Sequence, residues 1–159
     1  MSRPKAAPKS CNRAVSEGVK AAVSAVRLRG AQITPLREAA LKALWSAERP
    51  LGAYELRDRL TETLGRAVAA PSIYRTLDFL CEQGVAARIE SRNAYVACAH
   101  PENDHLCVFL VCEACGDSRE IEDPRLEKLI GEDARRVGFA VRRRIVEMSG
   151  LCAPCQRAS

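Results

Sequence analysis

The chain has few aromatic residues, only two histidines and no long hydrophobic run. Aromatic residues make up 4% of its 159 residues, so its core must be built from Leu, Val, Ile and Ala. No apolar stretch reaches the roughly 18 residues of a membrane-spanning helix, which excludes that class of protein. The basic N-terminus lacks the apolar centre of a signal peptide, so the sequence predicts a cytoplasmic protein.

Positive charge is concentrated at one end of the chain. Residues 1–30 hold seven Lys or Arg against the single acid Glu17, whereas residues 101–159 hold nine against eleven acids. Such a bias favours contact with a polyanion such as DNA, although a solvated tail would have the same composition. Residues 1–14 are predicted to form a disordered basic arm.

The first half of the chain predicts short helices followed by a hairpin. Apolar residues at helical spacing, with Gly and Pro at the breaks, predict helices at 15–28, from Pro35, at 53–64, and from Pro71 to Gly84. Two short strands are then predicted at 86–90 and 94–98. This order is typical of a winged helix-turn-helix, here assigned to residues 15–99.

The second half has a different pattern, and residues 100–105 are predicted to be a hinge before it. Residues 106–159 predict a small α/β domain within an overall α+β chain. Its predicted elements are strands at 106–111, 118–121 and 141–146 and a helix from Asp123 to about Arg136.

Two C-x-x-C pairs, Cys112/Cys115 and Cys152/Cys155, frame this second domain with 36 residues between them. Two such pairs in a cytosolic chain indicate a tetrahedral zinc site. Redox-active dithiols of the thioredoxin kind are the alternative. A closed four-cysteine site has no open position, so the predicted zinc stabilises the fold and does no chemistry.

A second group of potential ligands lies in the predicted hinge. Cys98 and Cys107 flank the only two histidines, His100 and His105. Thiolate and imidazole side chains are the ligands zinc prefers, so this group is a candidate second metal site. A chance cluster of polar loop residues is the alternative.

Several of these motifs together resemble the ferric uptake regulator family, over roughly residues 30–155. They are Thr34-Pro35-Leu36-Arg37, the segment PSIYRTLDFL at 71–80, the predicted wing, and the two C-x-x-C pairs, the second of which begins in Gly150-Leu151-Cys152. Residues 91–98 and 109–112 look most like the zinc-responsive members. The resemblance implies a homodimeric repressor of zinc uptake genes, which binds operator DNA when its sensor site holds zinc.

The resemblance also implies the ligands of that sensor. By position they include Cys98, His105 and Glu120, whereas the family's first histidine falls on Ala87, which cannot bind metal. His100 is the best substitute, with Glu102, Asp104 or water as alternatives. Two zinc ions per protomer are therefore expected, one structural and one regulatory. A thiolate ligand favours zinc over the iron or manganese of other family members.

The fourth predicted helix is expected to reach DNA. Tyr74 and Arg75 are expected to reach DNA, Arg75 by a bidentate contact with a guanine edge and Tyr74 by contact with a thymine methyl group or a phosphate. Ser72, Thr76 and the basic arm are expected to hold phosphates.

Two other classes of function fit the sequence less well. A zinc-dependent or thiol-based enzyme is disfavoured because two loop histidines supply no nucleophile–base pair or open metal site, so neither catalysis nor a small-molecule substrate is expected. A zinc chaperone or storage protein would not need a recognition helix. DNA binding that requires zinc separates the repressor from both.

Overall fold

The structure, a computed structural model, describes residues 11–101, 106–121, 123–142 and 144–158. The chain divides into two compact units, Met1–Asn103 and Asp104–Ser159. Residues 1–10 of the predicted arm lie outside the described residues, and the first helix begins at Cys11, earlier than the predicted residue 15. Within the described ranges, no helix has the length and apolar character needed to cross a membrane.

Four helices form most of the first unit. They are α1 (Cys11–Leu28), α2 (Pro35–Ser46), α3 (Ala53–Leu64) and α4 (Ala70–Glu82). The start of α2 follows from its sequence, because the Thr34 hydroxyl accepts from the Arg37 amide and Pro35 occupies the first turn. Gly65, in the left-handed region at φ 63°, ends α3.

A small antiparallel sheet completes the first unit. Its strands β1 (Leu51–Gly52), β2 (Ala86–Ile89) and β3 (Ala94–Ala97) have the order β1-β3-β2. A single 3₁₀ turn, Glu90–Arg92, joins β2 to β3 and completes the predicted hairpin. The sequence did not predict β1, because Leu51 and Gly52 lie where its pattern predicts only a break between helices. They pair with Tyr95 and Ala94 of β3, a non-local contact that no two-residue pattern reveals.

The core of the first unit is almost entirely aliphatic, as the composition predicted. Ile73, Leu77 and Leu80 line the inner face of α4 and are at most 1% exposed. They pack in one cluster with leucines of α2 and α3, and Tyr95 is its one buried aromatic residue among those described. This packing fixes which face of α4 remains at the surface.

The second unit is a three-stranded sheet with a helix in its crossover. Its elements are β4 (Cys107–Cys112), β5 (Ser118–Ile121), α5 (Pro124–Arg136), β6 (Ile145–Gly150) and the short α6 (Ala153–Gln156). The strand order is β5-β4-β6, antiparallel between β4 and β5 and parallel between β4 and β6. The parallel pair requires the long crossover that α5 provides.

The position of the strand predicted at 141–146 is wrong, because the observed strand begins and ends later in the sequence. The strand lies at Ile145–Gly150, where its register pairs Cys107 with Ile145 and Cys112 with Gly150. Alternating apolar residues from Val141 suggested the earlier position. Pairing along the whole length of β4 decides the register instead, and it brings Gly150 beside the first C-x-x-C pair.

Helix α5 buries none of its residues, all of which are described. The helical spacing of its apolar residues Leu126, Leu129 and Ile130 predicts that they face inward. They are 38–55% exposed, because nothing in the described chain covers that face. The boundaries of α5 agree with the prediction, since the Asp123 carboxylate accepts from the Arg125 amide at 2.9 Å and caps the first turn.

Candidate metal centres and nucleic-acid interface

The four cysteines of the two C-x-x-C pairs meet at one end of the second unit. The sulfur atoms of Cys112, Cys115, Cys152 and Cys155 all lie within 4.8 Å of one another. The Cys115 and Cys152 sulfurs are 3.7 Å apart. Zinc–sulfur bonds of about 2.3 Å in a tetrahedron separate the sulfurs by about 3.8 Å, so the spacing fits a zinc ion.

The backbone of the second unit holds the two pairs against each other. The Glu113 amide donates to the Gly150 carbonyl at 2.8 Å, which joins the end of β4 to the end of β6. The Cys152 amide donates to the Cys112 sulfur at 3.4 Å. Gly116, at φ +74°, adopts a left-handed conformation that lets the first loop turn back, and its amide bonds the Cys112 carbonyl at 3.0 Å.

These contacts shift the pKa values of the thiols in opposite directions. Backbone amides of Cys115 and Cys152 donate toward Cys112 and lower the pKa of its thiol from 9.0 to about 6. Hydrogen bonds with the Cys152 and Cys115 side chains raise the pKa of Cys155 to about 12. One thiolate therefore forms readily, and a metal ion must displace the protons that its neighbours retain. Four soft donors with no oxygen ligand suit zinc and leave no position for a substrate.

The residues predicted for the regulatory site belong to both units. In the first unit, Cys98 follows β3, is 2% exposed, and donates its amide to the Val85 carbonyl at 3.1 Å. His100 is exposed two residues later. His105 lies outside the described residues, as do the alternative ligands Glu102 and Asp104. In the second unit, Glu120 is half-buried on β5.

Glu120 has a neighbour that the family resemblance did not include among the sensor ligands. The register pairs it with Phe109, so Cys107, two residues before Phe109, projects from the same face of the sheet. The Cys107 sulfur and a Glu120 carboxylate oxygen lie within 4.8 Å of each other. The sequence signal was the position of Cys107 beside the histidines, but only the strand register relates it to Glu120.

Helix α4 presents the residues predicted to reach DNA in different ways. Tyr74 is 39% exposed and Arg75 is exposed, both on the face opposite the core. The Arg75 guanidinium has no hydrogen-bond or ion-pair partner in the described part of the chain. Ser72 is half-buried, and Thr76 is only 5% exposed, so a phosphate contact by the Thr76 hydroxyl stays a prediction.

A shallow groove between α3 and α4 adds residues that the sequence reasoning missed. Tyr54, Arg57 and Tyr74 line it, and Tyr54 is 61% exposed. The Arg57 guanidinium stands 5.2 Å from the centre of the Tyr54 ring and bonds Asp58 at 2.7 Å. Two exposed tyrosines and an arginine side by side can stack on sugars and bond phosphates.

A model of the ferric uptake regulator family matches residues 28–149. The zinc uptake regulation protein of Escherichia coli (strain K12) is 35% identical over 128 residues, which cover 80% of this chain and 74% of that protein. A zinc uptake regulator solved in complex with zinc and DNA has a TM-score of 0.79 and 32% identity, covering 91% of this chain and 96% of that one.

A second solved structure, holo XcZur, has a TM-score of 0.76 and 37% identity and covers 89% of this chain and 98% of that one. Both structures match almost the full length of this chain, so the N-terminal winged helix-turn-helix and the small α/β dimerisation domain are shared features. Together with the sequence match, they show that this chain belongs to the ferric uptake regulator family.

Proposed function

We propose that this chain is a zinc-responsive transcriptional repressor, which binds operator DNA as a homodimer when its regulatory site is loaded and controls zinc uptake genes. The zinc uptake regulators among its relatives support this function. The observation that carries it is the joint presence of a zinc-type thiolate cluster and a recognition helix, α4, whose Arg75 has no intramolecular partner in the described chain.

Helix α4 is the element that enters the major groove. Its inner face is fixed by the core, so Tyr74 and Arg75 point outward without a conformational change. Arg75 reads a guanine edge and Tyr74 contacts a thymine methyl or a phosphate. Ser72 and the basic arm hold the DNA phosphates, and the neighbouring Tyr54 and Arg57 extend that surface.

The exposed apolar face of α5 supports the homodimer. Leu129 is 55% exposed, and Phe139, after the helix, is 68% exposed. A second copy of the same face would cover them in a two-fold interface, since a two-fold dimer uses the same patch on both subunits. Two copies of α4 then face two half-sites of the operator.

Each protomer is proposed to hold two zinc ions. The structural ion is held by Cys112, Cys115, Cys152 and Cys155, whose spacing and donor type fit it. The regulatory ion is held by Cys98, His105 and Glu120, with His100 as the ligand that the sequence suggests for the fourth place. The Cys98 sulfur and the imidazole nitrogens are soft or borderline donors, which favour zinc over iron or manganese.

The regulatory ligands come from both domains, and this gives zinc its effect. A metal that binds Cys98 of the DNA-binding domain and Glu120 of the dimerisation domain restricts the angle between them. Zinc is then held more tightly by the arrangement that fits both half-sites, and the population shifts toward it. Zinc supplies the linkage, while the chain's own side chains contact DNA.

A chain with this role needs no catalytic site, and a closed thiolate centre does not provide one. We propose that it acts in the cytoplasm, as a regulator and not as an enzyme or a zinc store. The test is selection of duplexes from a randomised pool with zinc-loaded and with chelator-treated protein. The proposal expects a two-fold symmetric sequence with zinc only. A storage protein would enrich no sequence under either condition.

A further inference from the structure

We propose that Cys107 is a ligand of the regulatory zinc ion and takes the fourth place, which the sequence suggested for His100. This inference rests on the proposed function, because it concerns the composition of that same regulatory site. Its first support is that the family histidine position is Ala87 here, a 2% exposed methyl group with no donor atom. The site needs another ligand.

The second support is the geometry of the second unit. Cys107 and Glu120 lie on adjacent strands and project from the same face of the sheet. Their donor atoms lie within 4.8 Å of each other, and zinc with one sulfur and one oxygen ligand at ordinary bond lengths separates those atoms by about 3.5 Å. A small side-chain rotation therefore brings both to one ion.

The third support is how firmly the backbone fixes Cys107. Its amide donates to the Arg144 carbonyl at 3.2 Å, and the register aligns it with Ile145 of β6. A ligand on a paired strand is held in place before metal binds. His100 instead lies exposed in a segment without regular structure. Ligands on rigid elements lose less conformational freedom on binding.

A second thiolate changes the chemistry of the site. With Cys98 and Cys107 the donor set becomes two sulfurs, one imidazole and one carboxylate. This set suits zinc and further disfavours iron and manganese, which prefer oxygen and nitrogen ligands. The site also becomes dependent on both thiols remaining reduced, since only the thiolate binds metal.

Cobalt(II) spectroscopy of the full-length chain tests this directly. The structural site is first filled with one equivalent of zinc, and Co²⁺ is then added to the regulatory site. Each bound thiolate contributes near-ultraviolet charge-transfer absorption. We expect Cys107→Ser to reduce that band to about half, and His100→Ala to leave it unchanged. Cys81→Ser, at a partly buried cysteine of α4, is the matched control and should leave it unchanged.

DNA binding gives the second readout and separates a ligand from a packing residue. Cys107→Ser should raise the free zinc needed for half-maximal binding by at least about 10-fold. Cys107→His should halve the cobalt band but retain much of the zinc sensitivity, because it replaces one ligand with another. An equal loss of zinc sensitivity in Cys107→Ser and Cys107→His would assign Cys107 a packing role and overturn the inference.

Failure of the inference and failure of the proposed function have different signatures. If Cys107→Ser keeps the full cobalt band and His100→Ala lowers the zinc sensitivity of DNA binding, the Cys107 assignment is overturned. The proposed repressor function would still stand. Zinc-independent DNA binding by the unaltered chain overturns the repressor. A halved band in Cys107→Ser would then still support Cys107 as a metal ligand.

Discussion

The sulfur atoms of Cys115 and Cys152 lie 3.7 Å apart, although the two residues are 37 positions apart in the sequence. The intervening residues form β5, α5 and β6, and the parallel pairing of β6 with β4 brings the two C-x-x-C pairs together. A metal at this point closes the whole second domain at its two ends. We therefore expect such an ion to contribute strongly to the folding of that domain.

Cys112→Ser tests that contribution. The variant loses one of four ligands, so we expect less than one structural zinc per protomer and a fall of on the order of 4 kcal/mol or more in the stability of the second domain. Metal content and thermal unfolding measure both. The control is Cys81→Ser, which removes a cysteine outside the cluster. A Cys112→Ser dimer with unchanged zinc and melting temperature would contradict the four-cysteine assignment.

Proton release on zinc binding should depend on pH in a defined direction. The pKa of Cys112 is lowered to about 6, so its thiol carries a proton below that pH and is ionised above it. Zinc must displace that proton only at the lower pH. Calorimetry in buffers of different ionisation enthalpy, on metal-free protein that retains its circular dichroism, should find about one proton more released at pH 5 than at pH 7.5. Equal proton release from the unaltered protein at both pH values would contradict the lowered pKa of Cys112.

Arg75→Ala should weaken specific DNA binding by about 1–3 kcal/mol and relax the preference at one base pair. Its guanidinium has no intramolecular partner in the described chain, so the loss reports DNA contact and not folding. Fluorescence anisotropy with selected and scrambled duplexes measures it. Arg125→Ala removes the same charge from α5, where Arg125 pairs with Asp123, and should change affinity little. Equal losses in both variants would mean that only net charge matters.

Leu129→Asp should dissociate the dimer. Leu129 is 55% exposed on α5, and a carboxylate there would be buried without a partner in the proposed interface. We expect the dimer dissociation constant to rise by about 100-fold or more, measured by sedimentation equilibrium. Leu28→Asp, the same change at an 87% exposed leucine of the first unit, should leave the dimer intact. An unaffected dimer in Leu129→Asp would place the interface elsewhere.

Gly18→Ala tests the packing of α1 on α2. A methyl group at Gly18 would lie 2.7 Å from three carbons of the Trp45 ring, so the indole or the helix must move. We expect a loss of about 1–3 kcal/mol in the unfolding free energy, despite the better helix propensity of alanine. Gly131→Ala, a glycine of α5 with no atom near the added methyl, should not lower stability. A stabilised Gly18→Ala protein would show that Trp45 moves aside freely.

Local signals predicted most of this fold. Thr34 followed by Pro35, and Asp123 followed by Pro124, mark helix starts through hydrogen bonds within one turn, and both helices begin as predicted. The spacing of the four cysteines likewise predicted a cluster that the structure brings together. The two helix starts depend on interactions within one turn, and the cysteine cluster depends on the type and spacing of its ligands.

The features that the sequence did not predict depend on non-local pairing. Strand β1 has only Leu51 and Gly52, and its partners lie more than 40 residues away. The register of β6 is decided by β4, and the alternation after Val141 suggested a different one. The neighbourhood of Cys107 and Glu120 follows from the β4–β5 register for the same reason. No local pattern carries this information.

Zinc control of DNA binding is the essential property of the proposed function. The most direct test is fluorescence anisotropy of a selected duplex, measured across buffered free zinc concentrations, with Fe²⁺ and Mn²⁺ in parallel titrations. We expect binding to appear as free zinc rises, to disappear on chelation, and to return with zinc but not with equal free concentrations of Fe²⁺ or Mn²⁺. Equal binding at all free zinc concentrations, or binding restored only by Fe²⁺ or Mn²⁺, would contradict it.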